Sequence, residues 1–256
     1  MPNTELTHLL ETAASPYRAA GRYPWHFARG KLRGDPIFVA LLREGLLPDE
    51  GKLLDLGCGQ GLLMALLLAA RQHFAAGAWP ADWPKPPRAL AMRGIELDEK
   101  RVRMAHIALG KAARVEIGDL RHVSLPACTV ITIFDVLFYM DQPAQRRVLE
   151  NCAQALAPGG LLLLRETDAG QGLRFYMTRW AERLMCWSRG QFRQPLSYRR
   201  REEWRALLSD LGFRVTEQPM SAGTPFSNRL FIARKVKPSP ASPPPRPATS
   251  RPRSRN

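Results

Sequence analysis

Cysteine is sparse and scattered. Cys58, Cys128, Cys152 and Cys186 contain no C-x-x-C pair, so neither a zinc ribbon nor a secreted disulfide framework is expected; no metal is expected, and a reducing compartment fits. Long apolar runs are missing as well. The longest, residues 62–70, is about half of the roughly 20 residues that a membrane span needs. Residues 1–16 hold Glu5 and Glu11 but no Lys or Arg, which is not the basic start of a secretory signal, and the expected location is the cytoplasm. Internal repeats are absent. Acids are few, 23 against 38 Lys and Arg, giving a formal charge of +15.

What is present is an apolar fraction of 45% over 256 residues, enough for a packed core without staples. The basic excess is unevenly placed. Lys237, Arg246, Arg251, Arg253 and Arg255 stand in a final stretch without acids, reading P-S-P-A-S-P-P-P-R-P over its proline-rich part. Such a composition cannot fold into a core, and a disordered tail is expected over 238–256. The charge also admits a nucleic-acid partner or a weak contact with an anionic membrane surface, both disfavoured against a plain solvated tail.

From residue 52 onward, short apolar runs alternate with helical spacing, the pattern of a parallel sheet covered by helices. Strands are expected at 52–56, 89–97, 114–117, 130–134 and 161–164, with a closing pair at 213–217 and 229–236. Helices are expected at 61–73, 99–109, 143–156, 172–187 and 200–211, the third stopped by Pro158, Gly159 and Gly160. Residues 75–87, with four prolines and two tryptophans, read as an ordered surface loop. Residues 1–45 are helix-compatible, and their Tyr, Trp, His and Arg suit either a cap over a ligand site or an ordinary packing helix.

The most informative stretch is Leu53-Leu54-Asp55-Leu56-Gly57-Cys58-Gly59-Gln60-Gly61, an apolar strand running into glycine at every second position and then a helix. Glycines permit unusual backbone angles and close approach of a ligand, and the helix start offers free N–H groups. The spacing is G-x-G-x-G, with Leu62 where the dinucleotide fingerprint G-x-G-x-x-G places its last glycine, which counts against nicotinamide.

D-x-G-x-G-x-G resembles motif I of class I S-adenosylmethionine-dependent methyltransferases, and further landmarks follow in order. Gly94-Ile95-Glu96-Leu97-Asp98 resembles the second-strand end, Val115-Glu116-Ile117-Gly118-Asp119-Leu120 the third, and Ile131-Thr132-Ile133-Phe134-Asp135-Val136-Leu137-Phe138-Tyr139 the fourth. Ala155-Leu156-Ala157-Pro158-Gly159-Gly160 resembles the turn into the fifth. The resemblance implies a Rossmann-like α/β fold: a seven-stranded methyltransferase sheet flanked by helices over 46–237, an N-terminal helical cap over 1–45 and an acceptor-side insertion at 170–199. It implies S-adenosylmethionine as cofactor. Asp55, Gly57, Cys58, Gly59, Gly61, Glu96, Leu97, Asp119, Leu120 and Asp135 are its expected binding residues, with Glu96 on the ribose hydroxyls and Asp119 on the adenine amino group. Glu96 lies 35 residues past Gly61, a gap lengthened by the Pro/Trp-rich loop.

The fourth-strand exit reads D-V-L-F-Y rather than the N-P-P-Y or D-P-P-Y of family members that methylate exocyclic amines. A small-molecule acceptor is expected, an oxygen of an aromatic, polyketide-like or fatty acyl compound, hydrophobic or carrier-bound. The alternative is an RNA methyltransferase or basic nucleic-acid-binding protein. The stretch 15–31, S-P-Y-R-A-A-G-R-Y-P-W-H-F-A-R-G-K, resembles methyltransferases of bacterial aryl-polyene pigment clusters. His26 within it and Tyr139 are the catalytic candidates, followed by Glu166, since an oxygen acceptor must lose a proton. His8, His73, His106 and His122 look dispensable. The segment after the fifth strand carries Phe175, Tyr176, Trp180, Leu184, Met185 and Trp187 at helical spacing among arginines, suited to lining an acceptor site, resting on an anionic membrane or simply covering the sheet.

Overall fold

Hydrophobic side chains alternate along the strands, and that alternation divides the core in two. The computed structural model describes residues 4–188 and 196–237; the expected tail, 238–256, lies outside them, as do Arg189 and Arg193 of the aromatic and basic segment. Within β1 (Glu50–Leu56), Leu53 faces one layer of helices and Leu54 the other. Within β5 (Leu156–Thr167), Leu161 and Leu163 go one way and Leu162 and Leu164 the other, as a side-chain period of two requires for a sheet buried on both faces.

β2 (Ala89–Glu96), β3 (Arg114–Ile117), β4 (Cys128–Phe134), β6 (Phe213–Pro219) and β7 (Asn228–Lys235) complete a seven-stranded sheet in the order β3-β2-β1-β4-β5-β7-β6. Strands β1 to β5 pair in parallel, and β7 runs antiparallel to both β5 and β6. The chain works outward from β1 to β3, then returns to β4 on the other side of β1. Ligands of open α/β sheets collect at such a reversal, at the C-terminal strand ends.

The parallel crossovers are α4 (Leu62–Ala75), α5 (Glu99–Leu109) and α6 (Gln142–Ala155), begun by Gly61, Asp98 and Asp141. The side chains of Asp98 and Asp141 accept N–H groups of their own first turns. β5 starts at Leu156, five residues earlier than the apolar run predicts. Leu156 pairs with Cys128, the register then shifts before Val130 meets Leu161, and Pro158 and Gly159 are taken up in that irregularity instead of forming a free turn. α7 (Gly172–Ser188) and α8 (Arg201–Asp210) precede the final hairpin.

Three helices stand ahead of β1: α1 (Thr4–Ala14), α2 (Arg22–Gly34) and α3 (Pro36–Arg43). Leu9, Leu10, Ala13 and Ala14 of α1 share one buried cluster with Leu62, Leu63, Met64, Leu66 and Leu67 of α4. α4 is therefore apolar on nearly every side, enclosed by the sheet and by α1. Among the described residues no helix is long and apolar enough to cross a membrane.

Candidate functional site

The glycine turn lies where β1, β2 and β3 finish. The backbone N–H groups of Gly57 and Cys58 donate to the Ile95 carbonyl at 2.8 and 3.2 Å, tying the glycine turn to β2. Two of its glycines are demanded by protein packing: a Cβ would come within 2.4 Å of Val136 at Gly57 (φ +71°) and within 2.7 Å of Leu109 at Gly61 (φ +81°). Gly59, at φ +58°, differs, because a Cβ there would meet nothing within 4 Å. Space is open above Gly59, the position at which a ligand could rest on bare backbone. Gly61 begins α4 without a side-chain cap, so the first N–H groups of that helix have no such partner.

Glu96, at the end of β2, is buried. Its Oε2 accepts the Gly59 N–H at 2.8 Å and its Oε1 the Asp98 N–H at 2.9 Å. Two carboxylate oxygens offer about four acceptor sites, so each retains one for a diol. Asp55 is buried beneath the turn and accepts the Thr132 hydroxyl at 2.7 Å. Burial pushes its carboxyl up to about 7, with the Thr132 hydrogen bond opposing and the charge of Glu96 adding to the rise.

Leu97 and Ile117, large apolar side chains at the ends of the adjacent strands β2 and β3, are both exposed. Together they present an uncovered apolar surface of the kind a flat base covers. Asp119 stands past β3, its carboxylate gripped by the Arg121 guanidinium at 2.9–3.0 Å and held below the usual carboxylate range by that bond. Leu120 beside it is buried in the core. The diol-matching carboxylate, the open glycine and the apolar shelf fit an adenosyl group. Ile117 stands inside a quoted motif but was not singled out by sequence; exposure at a strand end was its only mark.

A cavity of about 280 Å³ opens at the ends of β4 and β5, lined by Lys31, Asp35, Asp135, Phe138, Thr178 and Glu182 among others. A four-membered charge network forms its inner wall. Arg165, fully buried, donates to both Asp35 and Asp135, at 2.8 Å from Asp35 Oδ2 and 3.0 Å from Asp135 Oδ1. Lys31 Nζ lies 2.8 Å from Asp35 and 3.8 Å from Asp135. Burial would push Asp35 up, but Arg165 and then Lys31 hold it well below the usual range. Asp135 alone among the described non-glycine residues has a left-handed backbone, φ 59°, which turns the chain from β4 toward Phe138.

Tyr139 donates its hydroxyl to Glu182 Oε2 at 2.8 Å, which brings one catalytic candidate to the cavity wall. His26 is placed differently. Its side chain is exposed on α2 beside Trp25 and does not line the cavity, although Gly30 and Gly34, four and eight residues on, do. It therefore stands about 6 Å along the same helix face, near the rim. Glu166 points away from the cavity: its Oε1 accepts the N–H groups of Val136 and Leu137 at 3.2 and 2.7 Å, fixing the β4 exit turn. Burial pushes it up to about 8.

Sequence reasoning missed Lys31, Asp35, Arg165 and Glu182. Only Glu182 left a signal, as the sole acid between Gly172 and Arg193. The N-terminal helices close over the donor turn as well as packing on α4. The buried Tyr17 hydroxyl donates to the Gln60 carbonyl at 2.7 Å, and the Gln60 amide donates to the Pro24 carbonyl at 3.2 Å. Among the described residues no group of His, Cys, Asp and Glu could hold a metal ion.

A family model described as a methyltransferase domain matches residues 25–218, from α2 to the end of β6. A carboxy-S-adenosyl-L-methionine synthase of Chromohalobacter salexigens is 31% identical over 133 residues, half of this chain and 44% of that protein. The chain thus matches less than half the length of that relative. Among solved structures, a mitomycin 7-O-methyltransferase is similar with a TM-score of 0.59 at 21% identity, over 90% of this chain and 66% of that one. Human N-acetylserotonin methyltransferase in complex with SAM is similar with a TM-score of 0.54 at 16% identity, over 93% of this chain and 61% of that one.

Proposed function

We infer the reaction from the premise that this chain belongs to the methyltransferase-domain family and is a class I S-adenosylmethionine-dependent methyltransferase: the acceptor is a compact small molecule and the atom methylated is an oxygen. The observation that carries the reading is the cavity beside Asp135 and Phe138, whose volume of about 280 Å³ suits a compound of one or two rings. Phe138 supplies an apolar wall, and Thr178 and Glu182 supply polar contacts at defined points, the mixture usual in small-molecule sites.

S-adenosylmethionine supplies a methyl group activated by its sulfonium. Glu96, Gly59, Leu97 and Ile117 would hold its adenosine portion, with Asp55 supporting the turn from below. Asp119, its carboxylate held by Arg121, would meet the adenine from the end of β3. Asp135, fixed by Arg165 and bent by its backbone, sets the border between donor and acceptor. Glu182, oriented by Tyr139, accepts the hydroxyl proton of the acceptor and releases it to solvent at the cavity mouth. Most of the rate enhancement then comes from alignment of the two substrates.

The test is a mass-spectrometric assay of the full chain with S-adenosylmethionine and a panel of phenols, hydroxy acids and acyl carriers. A gain of one methylene on a hydroxyl compound, lost in Glu182→Gln, is the expected outcome. Methylation of RNA alone would overturn the reading. The same spectra show whether the donor itself gains a carboxylate, the product that the curated relative's name suggests.

A further inference from the structure

α7 turns a partly polar side inward and an apolar side outward. Thr178 is buried against Ser227 and, with Glu182, turns to the cavity. On the far side, Leu173, Tyr176, Met177, Trp180 and Leu184 recur at steps of three and four, forming one stripe about 100° wide. All five are exposed, Leu173 at 77% and Trp180 at 70%. Among the described residues nothing covers them. Arg174 flanks the stripe on one edge, Arg179 and Arg183 on the other, all exposed, and no described ion pair engages them.

Scattered exposed hydrophobics need no explanation, but a contiguous stripe on one helix marks a surface with a partner. An outward Leu/Trp/Tyr stripe edged with arginine is the pattern of a helix lying in a bilayer interface. The rings and aliphatic chains enter the headgroup boundary, and the guanidinium groups meet anionic lipid phosphates. A second copy of this chain is the poorer occupant, because a symmetric pair would set Arg179 and Arg183 against their own counterparts in a chain already carrying +15.

We propose that the outward face of α7 docks on an anionic lipid bilayer. The proposal concerns a face the methyl-transfer site does not use, and it stands or falls separately from the acceptor assignment. Full-length protein is sedimented with vesicles of equal parts phosphatidylglycerol and phosphatidylcholine, and with vesicles of phosphatidylcholine alone. The expected result is binding to the former, weakened by high salt, and at least about tenfold weaker partitioning for the Leu173→Ser/Trp180→Ser double variant. Both side chains are exposed, so folding is preserved, and an unchanged melting temperature and unchanged S-adenosylmethionine binding by calorimetry verify it. The basic tail is present in both proteins, so their difference reports α7 alone. Wild-type partitioning by the double variant would overturn the proposal, as would absence of binding to phosphatidylglycerol. Equal, salt-insensitive binding to both vesicle types, or a dimer in solution abolished by the same substitutions, would overturn it too.

Discussion

The glycine turn proposed to hold the donor and the cavity proposed to hold the acceptor lie side by side at the finishing ends of parallel strands, yet they are built in opposite ways. The donor end is mostly backbone: a glycine turn hung from the Ile95 carbonyl, one buried carboxylate accepting two N–H groups, and two apolar side chains at neighbouring strand ends. The acceptor cavity is mostly side chain. It depends on Arg165 reaching across 130 positions of sequence to Asp35 and across 30 to Asp135, with Lys31 joining them from α2. A backbone site tolerates change in the rest of the molecule. A site of buried charges does not, because any partner removed leaves another unpaired in low dielectric.

That difference is open to attack by mutation. The largest stability effect is expected for Arg165→Ala, which strands Asp35 and Asp135; the cost is about 3–5 kcal/mol, or on the order of 10 °C in Tm by calorimetry. Glu96→Ala should do the reverse. It should weaken S-adenosylmethionine binding by at least about 100-fold in titration calorimetry while costing only about 1–2 kcal/mol of stability, from the lost acceptor of the Gly59 and Asp98 N–H groups. Equal losses of stability in the two variants would erase the contrast between the sites.

The next effect is on pH. Asp55 and Glu166 have folded-state values of about 7 and about 8, both raised by burial. They bind protons more tightly folded than unfolded. The stability this gives is complete below their ordinary values near 4 and is lost as pH rises through 7 and 8. Chemical denaturation from pH 5 to pH 9 should show that decline, and Glu166→Gln should flatten its upper part. A stability rising across this range would contradict the burial argument. Smallest is Tyr139→Phe, which removes one hydroxyl from Glu182. Turnover should fall about tenfold with donor affinity unchanged, and a fall in donor affinity instead would move Tyr139 to the other site.

The same contrast explains what could be read beforehand. Strand and helix positions were legible because a sheet buried on both faces writes continuous apolar runs, and the donor turn because its glycines stand at fixed spacing within one segment. Even there the reading was incomplete. Gly57 is required by Val136 and not by open space, and β5 starts at Leu156 because a register irregularity absorbs Pro158 and Gly159. The cavity left almost no trace, since ion pairs between residues 35, 135 and 165 have no period and no local motif. Glu166 is a case of the same blindness. A strand-end acid resembles a base in sequence, while in space it faces the β4 exit turn and holds the N–H groups of Val136 and Leu137.

The enclosure of α4 bears on how the chain can be shortened. A trimmed version beginning at residue 46 would keep every strand and every motif residue of the donor end. It would also strip α1 from Leu62, Leu63 and Leu66 and release Gln60 from Tyr17 and Pro24. Laid bare, that greasy helix would drive clumping before any assay could begin, so a minimal catalytic unit has to carry its leading helices with it.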